Sequence, residues 1–515
     1  MPDVVLSRPT RSLIIPPGYW PDKPCGVLPD GRQVIPHNVS NTVLLRNAGY
    51  DVPNPMDNYY EWPRPPFVSQ RRSAAMLVES PRAYLLNEQG TGKTFTSIAA
   101  YDFLRQTGAV CRLLVAAKLS TLEFVWAREV MRFFPHLKIK VLGSDKGFSK
   151  KKRLELLAEP ADVYIINHDG IKVIAEELQA RTDIDVLVLD ELAVYRNNSD
   201  RSKGMRSFAC RFKYVWGLTG APMPNEVTDV WAQCKILTPT TVPKYFRSCR
   251  ELLMTRVSQY VWRPKPGAVE QAYAMMQPSM RYKLDDVVEL PEVIERIIDV
   301  PLSDQQREMY EEFRKKLAIL VEQKHIHAAN AGVALSKLCQ ISGGYVYSTA
   351  PEFFTVDHSP RLDLLCDLVE ANDQKVLICA PFRHMVEGVT ASLNKQGIEA
   401  CFVHGDVRER EKLFHAFQNT DQYRALVAHP ATIGHGLTLT RANLLVWWSP
   451  IADFDVFDQA NARIRRVGQQ HKQQLLFLQS TAAERRIYGI LRRKENVQDS
   501  FLQLVEDLTR GTDAE

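Results

Sequence analysis

The chain of 515 residues is long enough for two to four domains, and its 45% hydrophobic and 24% charged residues are typical of a globular protein. The formal net charge of +5 allows a nucleic-acid partner without requiring one, because a basic groove can lie on a nearly neutral protein. No apolar run approaches the roughly 20 residues of a membrane span, no signal-peptide core is present, and nine scattered cysteines lack zinc-site spacing, so we expect a cytoplasmic protein with reduced thiols.

Residues 1–66 hold 13 of the 30 prolines, a density that excludes long helices and favours extended segments and turns. Short apolar runs predict strands at Val27–Val34 and Asn41–Leu45. We therefore expect a small accessory module, or a strap over the next domain. Its aromatic residues are Tyr19, Trp20, Tyr59, Tyr60 and Trp62. They could stack on nucleic-acid bases, although ordinary aromatic burial favours packing.

From Phe67 to about residue 240, apolar runs alternate with helical patterns, which predicts a parallel sheet with crossover helices. The predicted strands are Arg82–Asn87, Arg112–Ala117, Asp162–Asn167, Val186–Asp190 and Tyr214–Leu218. We expect residues 67–240 to form one α/β domain.

The first of these strands leads into a glycine-rich turn, Gly90-Thr91-Gly92-Lys93-Thr94, and then an apolar helical run. The two glycines let the backbone approach a ligand, and the helix dipole adds positive charge, so the turn suits a phosphate group. Lys93 would reach the β- and γ-phosphates, and the Thr94 hydroxyl would bind Mg²⁺. The strict pattern has glycine where Asn87 stands. An ordinary turn with an exposed lysine is the alternative.

The strand Val186–Asp190 ends in two adjacent carboxylates, Asp190 and Glu191. In an open parallel sheet, ligands bind at the carboxyl ends of the strands, which is the edge that carries the phosphate turn. Asp190 could hold Mg²⁺ through its water shell, and Glu191 could orient and deprotonate an attacking water. Two solvated acids at a strand end are the simpler interpretation, but the phosphate turn upstream favours the functional one.

The alternation stops near Thr238, and residues 241–360 are predicted to be mostly helical, with one helix starting at Ser303–Gln306. Beyond residue 361 the alternation returns. The predicted strands there are Lys375–Ala380, Ala400–His404, Ala425–His429, Leu444–Trp448 and Leu475–Leu478. The order predicts a second α/β domain over residues 361–515, separated from the first by a helical insert.

A second informative stretch runs from Gln459 to Gln469 and contains three arginines. Arg463 and Arg466 are three residues apart, so on a helix they would project from one face, and Arg465 would not. Arginine suits a phosphate in transfer because its planar fork stays charged and binds two oxygens at once. A solvated basic helix is the alternative.

These three stretches, in this order, resemble the superfamily 2 helicases, and smaller signals narrow the resemblance to their Swi/Snf-like DNA-translocase branch. The string Gln-Ala-x-x-Arg-x-x-Arg-x-Gly-Gln at 459–469 is the most specific signal. Leu114–Ala117 with Trp126 and Glu129, Trp216–Pro222 with Asn225, and Gly434–Thr440 resemble further motifs of the branch. Ala117, Leu192-Ala193, Ala221 and Leu437-Thr438 depart from its usual residues. The resemblance covers roughly residues 67–495.

The resemblance implies two RecA-like parallel-sheet lobes with a mostly helical insert between them and a small Pro-rich N-terminal extension. It implies ATP and Mg²⁺ as cofactors, with ATP in a cleft between the lobes. The ATP-binding residues it implies are Gln70, Gly90, Thr91, Gly92, Lys93, Thr94, Gly436 and Gln459. The catalytic residues are Lys93, Glu191, Arg463 and Arg466, and the metal ligands are Thr94 and Asp190.

The resemblance also implies DNA as the partner, with duplex favoured over single strands, and residues 1–66 could bind a protein partner. The implied DNA contacts are Lys118, Ser120, Thr219, Thr438 and Thr440, although such hydroxyls are often helix caps or turn residues. The basic cluster Lys146 and Lys150–Arg153 could add phosphate contacts, but a solvated loop is favoured. Trp447 and Trp448 could form a wedge against bases, or pack in the core.

We therefore expect an ATP-driven motor that moves along DNA. The alternatives are a strand-separating or fork-remodelling helicase, an ATP-gated clamp on DNA or protein with slow turnover, and a metabolic phosphoryl-transfer enzyme, for which no acceptor motif is present. The absence of long appended domains favours a compact bacterial or phage protein.

Overall fold

The computed structural model describes residues 4–18, 24–143, 148–224, 226–258, 262–287, 291–322, 328–349, 352–433, 439–466 and 468–493. The chain forms two compact units, Met1–Val287 and Val288–Glu515. Each unit has its own parallel sheet.

The N-terminal residues of unit 1 form a small antiparallel sheet followed by two helices. The strands, in the spatial order β1-β2-β4-β3, are β1 Val5–Ser7, β2 Ser12–Ile15, β3 Gly26–Val27 and β4 Gln33–Pro36. The helices are α1 Val39–Asn47 and α2 Pro55–Tyr59. The prediction of a strand at Asn41–Leu45 is wrong, because the Asn38 side chain accepts a hydrogen bond from Asn41 N and caps a helix there. The predicted strand Val27–Val34 is instead a short hairpin, β3–β4.

The aromatic residues at the end of this module pack onto the α/β part of unit 1. Tyr60 and Trp62 lie edge to face at 5.3 Å, and the Trp62 ring is 6.0 Å from that of Phe95. The Tyr60 hydroxyl donates to the buried carboxylate of Asp102 at 2.8 Å. These contacts favour packing over base stacking for Tyr60 and Trp62. Tyr19 and Trp20 lie outside the described residues.

A seven-stranded parallel sheet forms the centre of unit 1, in the order β13-β5-β10-β9-β6-β8-β7. Its strands are β5 Arg82–Leu85, β6 Arg112–Ala117, β7 Ile139–Val141, β8 Val163–Asn167, β9 Ile184–Asp190, β10 Tyr214–Leu218 and β13 Ser279–Met280. Alternate residues enter two separate cores: Leu113 and Val115 lie on one face and Leu114 on the other. Strands buried on both faces consist of continuous apolar runs, which is why the sequence identifies them.

Helices cover both faces of this sheet. A hairpin of two short antiparallel strands, β11 Met254–Arg256 and β12 Trp262–Pro264, stands between α11 and α12 in the chain. The helices are α3 Val68–Glu79, α4 Lys93–Gln106, α5 Arg128–Phe133, α6 Lys150–Ala158, α7 His168–Val173, α8 Ala175–Ala180, α9 Asp200–Ala209, α10 Val230–Leu237, α11 Phe246–Leu253 and α12 Ala268–Met275.

Unit 2 is built on a six-stranded parallel sheet, in the order β14-β21-β20-β17-β19-β18. Its strands are β14 Val293–Asp299, β17 Lys375–Cys379, β18 Ala400–Val403, β19 Ala425–Ala428, β20 Ala442–Trp447 and β21 Gln473–Gln479, and β15 Tyr345–Thr349 pairs with β16 Glu352–Thr355. The helices are α13 Asp304–Glu322, α14 Ala328–Ser342, α15 Ser359–Ala371, α16 Arg383–Lys395, α17 Arg410–Asn419, α18 Pro430–Ile433, α19 Phe454–Asn461 and α20 Ala482–Arg492.

The predicted fold class, two parallel-sheet lobes with helices, is confirmed by the two parallel sheets, one in each unit. The structure assigns the predicted insert 241–360 to both units: β13 joins the sheet of unit 1, and β14 joins that of unit 2. The helix predicted to start at Ser303–Gln306 is α13, where Ser303 N donates to Gln306 Oε1 and Gln306 N donates to Ser303 Oγ. Trp447 and Trp448 are both fully buried, so the wedge interpretation is wrong and both pack in the core of unit 2.

A buried ion pair holds α15 and α20 of unit 2 together. The Arg361 guanidinium donates to both carboxylate oxygens of Glu484, at 2.9 and 2.8 Å, and to the Trp448 carbonyl at 2.7 Å. Arg361→Ala would leave the Glu484 carboxylate buried without its cation, so we expect unit 2 to lose about 3–5 kcal/mol of unfolding free energy. Urea unfolding measures this loss.

Two variants make that measurement specific. The double variant Arg361→Met/Glu484→Leu removes both charges and should cost far less than Arg361→Ala alone. Arg441→Ala breaks the exposed pair with Asp421, at 2.6 Å, and should cost no more than about 1 kcal/mol. Equal losses for Arg361→Ala and Arg441→Ala would contradict the prediction.

Candidate nucleotide-binding and hydrolysis site

The phosphate turn lies between β5 and α4, and α4 begins directly at Lys93. Gly90 and Gly92 both have φ of +83°, a conformation that favours glycine. A Cβ on Gly92 would lie 2.3 Å from the side-chain nitrogen of Gln70, so a larger residue here would displace the Gln70 amide from the turn. The local backbone therefore has the compact form that the sequence predicts for a phosphate-binding turn.

Lys93 is folded back over its own loop. Its ammonium group donates to the carbonyl oxygens of Asn87 at 2.7 Å and Glu88 at 3.0 Å. Thr91 closes the same turn, because its hydroxyl donates to the Glu88 carbonyl at 2.8 Å. Thr94 is half-buried in the first turn of α4.

Gln70, one of the implied ATP-binding residues, lies directly against the phosphate turn. It is buried in α3, and its side-chain amide donates to the Thr91 carbonyl at 3.0 Å. Its side-chain oxygen accepts from Phe67 N at 3.2 Å and from the Arg64 guanidinium at 3.4 Å. The Arg64 guanidinium also stacks 3.9 Å from the Phe95 ring centroid. Arg64 was not among the site residues predicted from the sequence, because only the folded chain brings its guanidinium next to the Gln70 side chain.

The two acidic residues stand at the same edge of the sheet as the turn. In the strand register, Leu218 of β10 pairs with Leu85 of β5 on one side and with Asp190 of β9 on the other. The carboxyl ends of β5 and β9 are thus separated by one strand. The sequence prediction that one edge carries both groups agrees with this geometry.

Asp190 is held by two hydrogen bonds, one to each carboxylate oxygen. Trp126 Nε1 donates to Oδ2 at 2.8 Å, and Glu191 N donates to Oδ1 at 3.0 Å. Burial and, to a smaller extent, the neighbouring Glu191 carboxylate raise the pKa of Asp190 to about 6, while the Trp126 hydrogen bond and the Lys93 charge oppose the shift. Trp126 resembled a family motif in the sequence, but its contact with Asp190 across 64 positions is visible only in the structure.

Glu191 has a φ of +51°, which is a left-handed conformation that is strained for a residue other than glycine. Such strain, of order 1–3 kcal/mol, persists where the surrounding structure imposes it, and it is concentrated at functional sites. The conformation turns the chain sharply after β9. It is consistent with a carboxylate held in place to act on a water molecule.

The residues present fit Mg²⁺. The Asp190 carboxylate and the Thr94 hydroxyl are hard oxygen donors, and Mg²⁺ is commonly bound by one or two protein ligands together with phosphate oxygens and water. Among the described residues, no group of three or more His, Cys, Asp or Glu side chains could form a metal site of protein ligands alone. Bound there, the cation would neutralise phosphate charge.

His168, at the start of α7 in unit 1, should make the protein sensitive to acid. Burial, with help from the nearby charge of Arg201, lowers the pKa of His168 from 6.5 to about 4, and its Nδ1 lies 2.8 Å from the Tyr195 hydroxyl. Between these pH values the unfolded chain binds a proton that the folded chain does not. The free energy of unfolding should therefore fall as pH drops from 6.5 to 4, by about 1.4 kcal/mol per unit.

Chemical unfolding of His168→Asn across this range tests the prediction. Asparagine keeps a polar atom near the position of Nδ1 but does not titrate, so the loss on acidification should shrink by about 3 kcal/mol at pH 4. An unaltered slope in His168→Asn would show that His168 does not cause the acid sensitivity.

The predicted DNA contacts of unit 1 have different environments. Lys118 and Ser120 follow β6 at the edge that carries the phosphate turn, and Ser120 is exposed. Thr219 is only 1% exposed, and its hydroxyl accepts from Ala221 N at 3.3 Å, which favours the turn role over a DNA contact. Asn225 lies outside the described residues.

The basic cluster is partly structural. Lys150 pairs with Glu177 at 2.8 Å, and Arg153 is buried with its guanidinium donating to the Leu142 carbonyl and to Asn167 Oδ1. Lys146 lies outside the described residues. The cluster is therefore neither a uniform phosphate-binding patch nor a uniformly solvated loop.

In unit 2, α19 ends at Asn461, so the prediction that Arg463 and Arg466 project from one helix face is wrong. The turn after Ala462 directs Arg463 inward: it is 1% exposed, and its Nε donates to the Gln459 carbonyl at 2.7 Å. Arg466 is half-buried, and burial lowers its pKa to about 10, so it stays charged at neutral pH. Thr440 is half-buried and accepts from Gln418 at 3.3 Å. Gly436 and Thr438 lie outside the described residues.

The protein has two parallel sheets, and in unit 1 the phosphate turn and the acidic end of β9 lie at the same sheet edge. This combination is typical of the core of a nucleotide-hydrolysing, helicase-like protein. The sequence matches the SNF2-related domain over residues 70–342 and the helicase conserved C-terminal domain over residues 360–468. The chain therefore belongs to the SNF2-related family, and it is a superfamily 2 ATPase.

Relatives come from phages, bacteria and eukaryotes. Protein p41 of Acyrthosiphon pisum secondary endosymbiont phage 1 is 23% identical, with 84% of this chain and 96% of p41 covered. The ISWI chromatin-remodeling complex ATPase CHR11 of Arabidopsis thaliana is 25% identical, with 78% of this chain but only 39% of CHR11 covered. YwqA of Bacillus subtilis, named as an ATP-dependent helicase/translocase, is 25% identical, with coverage of 82% and 46%. The chain thus spans less than half of the length of CHR11 and of YwqA.

A solved structure of the Sulfolobus solfataricus SWI2/SNF2 ATPase core in complex with dsDNA is also similar, with 22% identity, coverage of 88% of this chain and 96% of that one, and a TM-score of 0.41. That likeness is too weak to carry a conclusion about this chain. Among the described residues, no helix is long and apolar enough to cross a membrane.

Proposed function

We propose that this protein is a DNA-dependent ATPase that uses ATP and Mg²⁺ to translocate along double-stranded DNA. ATP binds at the phosphate turn of unit 1, with Gln70 at the adenine, Thr94 and Asp190 at the metal, and Glu191 at the attacking water. Arginines of unit 2 act on the terminal phosphate, and alternation between ATP-bound and ATP-free states moves the two units along the duplex. The protein acts in the cytoplasm, that of the bacterial host if it is phage-encoded.

The observation that carries the proposal is the grouping of hydrolytic residues at one edge of the unit 1 sheet. Asp190 and Glu191 lie at the end of β9, the turn that contains Lys93 follows β5, and one strand separates β5 from β9. Gln70 contacts the same turn. Lys118 and Ser120 follow β6, which neighbours β9, and this supports a nucleic-acid contact next to the hydrolytic site. The phage, bacterial and chromatin-remodelling relatives support DNA as the partner.

ATPase rates without polymer and with duplex DNA, single-stranded DNA or RNA test the proposal. We expect stimulation by duplex DNA well above that by the other polymers, and displacement of a third strand from triplex DNA in an ATP-dependent manner. Stimulation with no displacement would favour an ATP-gated clamp. Lack of stimulation by every polymer would refute the nucleic-acid assignment.

A strand-separating helicase is the second candidate, and an unwinding assay on a forked duplex tests it. Release of a labelled strand from a forked duplex would support it. The burial of Trp447 and Trp448 argues against it, because neither side chain is available to separate bases.

A further inference from the structure

Two residues of the phosphate turn, Asn87 and Glu88, connect Lys93 to a second part of unit 1. Their carbonyl oxygens accept the two hydrogen bonds from the Lys93 ammonium, at 2.7 and 3.0 Å. Asn87 Oδ1, Glu88 Oε2 and Glu88 N bond to residues 282–284. Asn87 occupies the position where the strict phosphate-binding pattern has glycine, and its side chain is only 3% exposed.

Three hydrogen bonds join these two residues to Tyr282 and Leu284. Tyr282 N donates to Asn87 Oδ1 at 3.0 Å, and Leu284 N donates to Glu88 Oε2 at 3.0 Å. In the opposite direction, Glu88 N donates to the Tyr282 carbonyl at 3.0 Å. The turn and the segment 282–284 therefore hold each other, and neither can shift far without breaking bonds that the other makes.

Asn87 also reaches the helix that carries Gln70, since its Nδ2 donates to Ser73 Oγ of α3 at 3.2 Å. On its other side, the segment 282–284 follows β13, which pairs with β5, and it precedes the boundary between the two units at Val287. The contacts thus lie on the chain between the nucleotide site and the start of unit 2.

We propose that Asn87 and Glu88 are positioning residues that couple nucleotide binding at the turn to the segment 282–284. The proposal rests on the proposed function in that the ligand is ATP. Phosphates that bind Lys93 would compete with the Asn87 and Glu88 carbonyls for the three N–H donors of its ammonium group. Nucleotide occupancy therefore changes the bonding of the two residues whose side chains hold Tyr282 and Leu284.

Hydrogen exchange of the full-length protein, followed by mass spectrometry, tests this coupling. If the amides of Tyr282 and Leu284 open only together with the turn, a nucleotide that binds the closed turn suppresses their exchange by the factor 1 + [L]/Kd. With Mg²⁺ and a non-hydrolysable ATP analogue at about 100 Kd, we expect exchange in a peptide spanning 281–285 to slow by more than about tenfold. The peptide spanning 86–95 reports nucleotide binding in the same experiment.

Variants identify the bonds that carry the effect. Glu88→Ala removes the acceptor for Leu284 N, so the slowing at 281–285 should fall to the part carried by Tyr282 N and Asn87 Oδ1, while the turn remains protected. Glu88→Gln keeps an acceptor oxygen and should retain most of the slowing. Asp286→Ala is the matched control, because Asp286 accepts from Lys283 N at 3.2 Å within the same segment, and it should retain the slowing in full.

The outcomes separate the two proposals. Protection of 86–95 without slowing at 281–285 in the natural protein would overturn the coupling alone. No protection at either place would overturn both the coupling and the ATP site. Equal slowing at 281–285 in the natural protein and in Glu88→Ala would show that the Glu88 carboxylate does not transmit the effect, and this would also overturn the proposal.

Discussion

Lys93→Ala is expected to lower ATP turnover by about 10²–10³-fold and to weaken ATP binding. The lysine places a positive charge where the β- and γ-phosphates would lie, and charge develops on these groups during transfer. Glu191→Gln should lower turnover by about 10²–10⁴-fold while leaving ATP affinity nearly unchanged, because an amide orients water but cannot accept its proton. ATPase assays together with nucleotide titration separate the two effects.

The control for Lys93→Ala is Lys213→Ala, since Lys213 also donates to a backbone carbonyl of unit 1, that of Ala109 at 2.8 Å, but lies just before β10 at the opposite edge of the sheet. It should leave both turnover and affinity unchanged. Loss of ATP binding in Glu191→Gln would contradict the role assigned to Glu191 and would indicate that its carboxylate serves the fold or the metal. Retained turnover in Lys93→Ala would refute the phosphate-binding turn.

The sequence predicted most of the sheet strands because they are continuous apolar runs buried on both faces. The sequence did not predict β14, because this strand contains Glu295 and Arg296, which are exposed at the edge of the sheet of unit 2. Asn41–Leu45 was mistaken for a strand because short apolar runs do not distinguish a strand from a helix, and the cap at Asn38 decided the outcome.

The site was predicted less completely than the fold, since its contacts join distant residues. Spacing could place Asp190 and the phosphate turn at one sheet edge, because parallel strands share that edge. It could not indicate that Trp126 donates to Asp190, or that the side chains of Asn87 and Glu88 accept from the backbone near residue 283. Asn87 looked like an imperfection in the sequence pattern, and the structure gives its side chain a specific set of partners.

Arg466→Ala is expected to reduce ATP turnover by about 10³–10⁵-fold, the range measured for arginines that act on a transferred phosphate. Arg466 is half-buried yet charged at neutral pH, because its pKa, although lowered by burial to about 10, stays well above 7. Truncation should leave ATP affinity and the unfolding free energy of unit 2 nearly unchanged, since the arginine would act mainly in the transition state. Arg465→Ala is the adjacent control and should retain turnover.

Arg463→Ala should also abolish turnover, but partly because the Arg463 side chain helps to hold the structure of unit 2 together. Arg463 is buried, its Nε donates to the Gln459 carbonyl, and its own carbonyl accepts from Leu439 N at 3.3 Å. Removing this side chain from the turn that follows α19 should therefore lower the stability of unit 2 together with activity, whereas Arg466→Ala should lower activity alone. Full activity in Arg463→Ala would refute the two-lobe mechanism, and equal stability losses in both variants would refute the division of roles between the two arginines.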